Sequence, residues 1–64
     1  MISREIGEKL AKLRNEKSRA EVASAVGISI SALGMYETGE RVPRDEIKVR
    51  LADYYGTNVQ DIFF

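Results

Sequence analysis

The stretch from 18 to 39, Ser18-Arg-Ala-Glu-Val-Ala-Ser-Ala-Val-Gly27-Ile-Ser29-Ile-Ser-Ala-Leu-Gly-Met-Tyr-Glu-Thr-Gly39, decides the architecture. Ser18 followed three residues later by Glu21 is a capping box that opens a helix whose apolar residues are Val22, Ala23 and Val26. Gly27 ends that helix. Ser29 can cap a second one, with Leu33 and Tyr36 as its apolar face and Gly39 as its stop. Only Gly27, Ile28 and Ser29 separate the two, and so short a connection containing a glycine makes the helices cross at roughly 90 to 120°. Counted from Arg19 as the first position, Val22, Ala23, Val26, Gly27, Ile28, Leu33 and Tyr36 fall at the fourth, fifth, eighth, ninth, tenth, fifteenth and eighteenth. Each has a steric reason: Ala23 is small where the helices touch, and Val22, Val26, Leu33 and Tyr36 face the core. The pattern reads as a helix-turn-helix, with an ordinary helical hairpin as the plainer alternative.

Outward from this unit, Ile6, Leu10 and Leu13 recur at helical spacing between Ser3 and Lys17, with Ser3 as the expected N-cap. After the loop Glu40 to Pro43, Ile47, Leu51 and Tyr55 mark a fourth helix that Gly56 stops, and Asn58 can cap a last turn through Val59 and Ile62. Five short helices and no strand signal predict an all-α bundle, with residues 1–64 as one domain. At 64 residues there is room for one core at most. The absence of Cys and His removes disulfides, thiolate nucleophiles, imidazole bases and the usual zinc or haem ligands. An enzyme is therefore not expected, and neither is a metal or a cofactor. The longest uncharged run, Val22 to Tyr36, is shorter than the ~20 apolar residues that span a bilayer, so no membrane helix is expected. Met1 leads directly into the charged stretch Ser3 to Glu8, which does not read as a signal peptide, and a cytoplasmic location is the expectation.

Ten basic and ten acidic residues cancel, yet the charge is polarised along the chain. Arg4, Lys9, Lys12, Arg14, Lys17 and Arg19 outnumber Glu5, Glu8 and Glu16, and Arg41, Arg44, Lys48 and Arg50 outnumber Asp45 and Glu46. Between them, residues 20 to 40 carry Glu21, Glu37 and Glu40 and no basic residue. Positive charge brackets an uncharged window, and a polyanion responds to the local patch rather than to the net total.

Ile6-Gly7-Glu8-Lys9-Leu10 with Leu13-Arg14, Ala20-Glu21-Val22-Ala23 with Val26-Gly27-Ile28-Ser29, Tyr36-Glu37-Thr38-Gly39-Glu40-Arg41 with Pro43, and Leu51-Ala52 together carry a resemblance. Over almost the whole chain they resemble the phage repressor and Cro type (XRE-like) of helix-turn-helix domain. The resemblance implies a five-helix DNA-binding domain of a transcriptional regulator, in particular a repressor, that docks its third helix in the major groove. It also implies a homodimer on a two-fold, palindromic operator. Alternatives are the antitoxin of a toxin-antitoxin pair and a helix-turn-helix module that binds only protein. The chain departs from the family twice. Arg19 stands where the family usually has Gln, and Arg44 stands where it usually has a Ser N-cap.

Glu37 lies at the C-terminal end of its helix, where the macrodipole disfavours a carboxylate, so a compensating cation is expected beside it. The resemblance implies that this cation is Arg14, in an ion pair linking the first and third helices. A solvated surface pair is the bland alternative. With Leu33 and Tyr36 inward, Ile30, Ser31, Gly34 and Met35 face outward and are the candidates for reading bases, together with Arg19. Surface scatter and a protein-binding patch are the other readings of the exposed Ile and Met. Phosphate contacts are expected from Lys17, from the amides after Ser18, and from Arg41 and Arg44. Adjacent Phe63 and Phe64 cannot both face one core, so a homodimer contact is expected there.

Overall fold

The computed structural model describes residues 2–64, and the chain is all-α, with no strand among the described residues. Five helices follow in order: α1 (Ile2–Arg14), α2 (Arg19–Val26), α3 (Ile30–Thr38), α4 (Asp45–Tyr54) and α5 (Val59–Phe63). Local chemistry sets most of the boundaries. Ser18 Oγ accepts the Glu21 N–H at 3.0 Å, Ser29 Oγ accepts the Ala32 N–H at 3.0 Å, and Asn58 Oδ1 accepts the Asp61 N–H at 2.8 Å. Each cap satisfies an amide that the helix itself cannot. Gly27 takes φ 83° and returns its N–H to Ala23 O at 2.9 Å, the left-handed stop that turns the chain between α2 and α3.

Two boundaries differ from expectation, both of them in α1. Ser3 lies inside α1 rather than capping it, since Ile2 is already helical. At its other end α1 stops at Arg14, not Lys17, because Asn15 takes φ 56°. Asparagine tolerates that conformation better than most residues. The Lys17 N–H then turns back to Arg14 O at 3.1 Å. α4 begins at Asp45, with Arg44 in the capping position making no side-chain cap bond. Asp45 and Glu46 in the first turn complement the helix dipole in its place.

Leu10, Val22, Leu33, Leu51 and Ile62, one from each helix, are the largest fully buried side chains. Each contributes on the order of 1.5–3 kcal/mol by leaving water. Ile6, Ala23, Val26, Tyr36, Ile47, Ala52 and Phe63 complete the same cluster. Leu13, expected on this face, is instead exposed at the rim.

α1 and α3 form the most extensive helix pair, and Gly7 is where they meet. A Cβ there would overlap the Glu37 carbonyl oxygen and stand 2.8 Å from Tyr36 O, so the backbones approach closer than any side chain permits. Both obstacles are main-chain atoms of α3, which cannot swing aside. Gly7→Ala should therefore destabilise the fold although alanine gains about 1 kcal/mol in helix propensity. Overpacking of this kind costs about 1–3 kcal/mol, and the Tm in a circular-dichroism melt should fall by several degrees. An unchanged or raised Tm would mean that α1 and α3 do not pack this closely.

Candidate functional site

A buried carboxylate near the end of α3 organises the surface where the candidate residues gather. Glu37 has a side chain only 1% exposed. The guanidinium of Arg14, from the last turn of α1, grips it with Nε donating to Oε2 at 2.7 Å and Nη2 donating to Oε1 at 3.0 Å. Arg19, the first residue of α2, donates its Nε to the same Oε1 at 3.0 Å. The remaining Arg14 donor, Nη1, reaches Lys17 O at 2.7 Å and so holds the turn between α1 and α2. One carboxylate thus ties together the end of α1, the start of α2 and the end of α3.

The electrostatics differ for the two cations. Arg14 is one-fifth exposed and makes a two-pronged contact, the strong geometry for a guanidinium with a carboxylate. Hydrogen bonding to Glu37 raises the Arg14 pKa above its usual value, with burial opposing and the charge of Glu37 adding to the rise. Arg19 makes one bond and keeps 43% of its side chain exposed. Two guanidiniums and one carboxylate leave a surplus of one positive charge, and it lies toward solvent on the Arg19 side.

Arg19 also packs against Gly34. The position a Cβ would take on Gly34 is 3.5 Å from Arg19 Nη1 and 3.9 Å from Cζ, with no other heavy atom from a neighbouring element within 4 Å. The guanidinium lies over bare helix backbone. No neighbouring helix crowds Gly34, in contrast to Gly7. Beside it on α3, Ile30 and Ser31 are exposed and Met35 is half-buried, so the face expected to point outward does so, with Met35 partly withdrawn.

The flanking cations divide into tied and free. Lys17 Nζ sits 4.9 Å above the Tyr54 ring and 3.4 Å from its hydroxyl, which docks the turn before α2 on α4. Ser18 Oγ takes the Glu21 amide, which leaves the Arg19 and Ala20 amides at the start of α2 for any anion. Arg41 and Arg44 are exposed and make no ion pair among the described residues. The Arg41 N–H bonds Met35 O at 3.3 Å and the Glu40 N–H bonds it at 3.0 Å, which folds this loop back on the end of α3.

At the other end of the chain the two phenylalanines part company. Phe63 is 3% exposed in its own core, so its expected place at an interface is corrected: the side chain has no surface left to offer. Phe64 is 84% exposed, with Lys48 Nζ 5.2 Å from its ring centre.

Two residues escaped sequence reasoning. Gly7 carried a detectable signal, since a glycine inside a helix costs about 1 kcal/mol and calls for a reason. Tyr55, expected simply to face the core, buries its hydroxyl without a hydrogen-bond partner among the described residues. Nothing in the spacing signals that. Burial pushes the Tyr55 phenol up to about 12, and the nearby Glu37 charge adds to the rise. Among the described residues, no group of three or more acidic side chains could hold a metal ion, and no helix is long and apolar enough to cross a membrane.

These features define a helix-turn-helix unit inside a five-helix bundle. Residues 5–62 match the family model described as a helix-turn-helix domain, and the chain belongs to that family. Over 59 residues it is 34% identical to the cryptic phage CTXphi transcriptional repressor RstR of Vibrio cholerae serotype O1 (strain ATCC 39315 / El Tor Inaba N16961). That alignment covers 89% of this chain and 53% of the relative, so the chain spans about half the length of the curated relative it matches. No solved structure gives a significant match.

The unequal roles of the two arginines can be measured. Arg14→Ala removes two bonds to a buried carboxylate and one to the turn, and should cost about 3 kcal/mol or more in denaturant unfolding. Arg19→Ala leaves Glu37 still gripped by Arg14 and should cost about 1 kcal/mol or less. Equal losses would show that Glu37 is not held chiefly by Arg14.

Tyr55→Phe should be neutral or stabilising at pH 7, because the hydroxyl gives up no hydrogen bond when it is removed. Its pH signature has a definite sign. An unfolded tyrosine ionises near pH 10, while the folded phenol holds its proton to about 12. Stability linked to Tyr55 is thus complete below about pH 10 and is lost as the pH rises toward 12. Chemical denaturation across this range should show a shallower alkaline loss for Tyr55→Phe than for the parent. Identical slopes would place the hydroxyl in water.

Proposed function

We propose that this chain binds duplex DNA sequence-specifically and regulates transcription as a repressor, with α3 in the major groove. The observation that carries this reading is the surface of α3. Ile30, Ser31 and Met35 form a face without charge, with the Arg19 guanidinium at Gly34 beside it and Arg41 tied by its amide to Met35 O, and the exposed, unpaired Arg44 follows three residues on. An apolar or hydroxyl side chain suits base edges such as the thymine methyl, while cations at the rim suit phosphates, which position without specifying. The repressor name of the Vibrio cholerae relative supports the same reading. In this reading Arg19, Ile30, Ser31 and Met35 read bases, with Gly34 leaving room for close approach. Lys17, the amides after Ser18, Arg41 and Arg44 hold phosphates. The protein works in the cytoplasm, without catalysis or cofactor.

A homodimer on a palindromic operator belongs to the same proposal. One recognition helix covers too few base pairs to compete with a genome of non-specific sites, whereas two copies double the contacts. Half-sites would then lie about 34 Å apart, one turn of duplex. Phe64, exposed at the chain's last position, is the side chain best suited to meet the second copy. Selection of binding sites from random duplex DNA tests the function directly. The expected outcome is a palindromic consensus with half-sites one turn apart. Enrichment of no sequence would overturn sequence-specific binding, and a single asymmetric site would overturn the dimer.

Arg41→Ala and Arg44→Ala should each weaken binding to selected and random DNA alike. Each should also lower the slope of log K against log salt by about one unit. Unchanged slopes would take both side chains out of the interface.

A further inference from the structure

We propose that Gly34 and Glu37 are positioning residues that hold Arg19 as a preformed fork for one guanine on the DNA. This rests on the DNA-binding reading above and adds the base that Arg19 takes and the device that aims it. Nε of Arg19 is consumed by Glu37 Oε1 at 3.0 Å, while neither terminal nitrogen donates to any acceptor among the described residues. The free edge of the guanidinium is thus the pair Nη1 and Nη2, two donors matched to the O6 and N7 acceptors of guanine in the major groove.

Three features aim that edge. The carboxylate is fixed because Arg14 holds both its oxygens from the opposite side, at 2.7 and 3.0 Å, so Arg19 is anchored to a rigid point. The guanidinium lies along α3 in contact with Gly34, with Nη1 3.5 Å and Cζ 3.9 Å from where a side chain would begin, so a side chain longer than a methyl would displace it. The cluster keeps one surplus positive charge, so Arg19 still attracts an acceptor after pairing. An arginine on a free stem would lose rotamer freedom on binding, and one held in place has already lost it.

The position also separates base from phosphate. Gly34 lies on α3 between the exposed Ser31 and the half-buried Met35, so a guanidinium resting on it belongs to the groove-facing surface, not to the rim where Arg41 and Arg44 stand. Gly34 itself is not required by packing, because only Arg19 atoms approach its Cβ position and they do so at ordinary contact distance.

The test is a double-mutant cycle between residues 19 and 34, read as base preference at each operator position. It uses the full chain and the duplex enriched from random sequence. Gly34→Leu places a branched side chain where the guanidinium lies, without breaking the Arg14 and Glu37 pair. The parent should prefer guanine at one half-site position by roughly ten-fold to a hundred-fold. Arg19→Ala and Gly34→Leu should each abolish that preference, at the same position, leaving the ranking elsewhere unchanged. Because both act through one guanidinium, the double variant should lose no more than either single variant. Replacing that guanine by 7-deazaguanine, which lacks the N7 acceptor, should weaken the parent and leave Arg19→Ala unaffected.

Other outcomes overturn the proposal. If Gly34→Leu lowers affinity equally with or without Arg19, leucine collides with the DNA and Gly34 does not position the arginine. If Arg19→Ala weakens all sequences alike and lowers the salt slope by about one unit, Arg19 holds a phosphate. Gly34→Leu that keeps the parent's guanine preference shows that the fork needs no seat. In each of these cases the parent still selects a consensus sequence, which separates failure of this inference from failure of the DNA-binding reading, where no sequence is enriched at all.

Discussion

The Glu37 carboxylate is the constraint on which the rest of the molecule depends. A charge with 1% of its side chain exposed is tolerable only if its oxygens are fully engaged, and here three donors from two arginines engage them. Those arginines come from the end of α1 and the start of α2, so satisfying one buried charge fixes the relative placement of three helices. The close approach at Gly7 belongs to the same junction, since the backbone it admits is that of Tyr36 and Glu37. Five leucine, valine and isoleucine side chains at the centre supply non-directional cohesion, and the ionic junction supplies geometry.

That geometry bears on the proposed function. The junction lies at the base of the α2–α3 unit, so the element that orients the helices also orients Arg19, the side chain through which the buried charge meets solvent. The charge has been drawn off the exposed face of α3 and collected at its borders. The loop after α3 is held by the Met35 carbonyl, which accepts both the Glu40 and the Arg41 amide, and this keeps Arg41 close to the helix it flanks. A small domain with little core to spare thus uses one polar cluster for both architecture and presentation.

The parts of the fold set by local chemistry were legible in the sequence. Ser18, Ser29 and Asn58 start helices, and Gly27 and Gly39 stop them, because the capping bonds span only a few residues. What depended on distant neighbours was less so. Helical spacing told which way Leu13 points but not that it would be left 37% exposed. Adjacency told that only one of Phe63 and Phe64 could be buried, but not which, since that depends on how α5 docks. Asn15 ended α1 earlier than expected through a backbone conformation that its identity allows without requiring. The partnership of Arg14 with Glu37 was suggested by the position of the charge and by family resemblance. The second bond, from Arg19, was not, because it joins residues 18 apart in sequence on helices whose crossing had to be known first. Spacing told that Gly34 points outward, but not that the Arg19 guanidinium rests against it.

The most direct measurement is a map of amide chemical-shift changes as duplex DNA is titrated into the isotopically labelled chain at low salt. A random-sequence duplex suffices, since phosphate contacts and groove entry do not require the operator. The changes should concentrate on the start of α2 at residues 17–20, on residues 29–35 of α3, and on the loop from 40 to 44. The outer face of α1 around Glu5, Glu8 and Lys12 should stay unchanged. Shifts centred on α1 or α5, with α3 silent, would contradict the assignment of α3 as the surface that meets DNA.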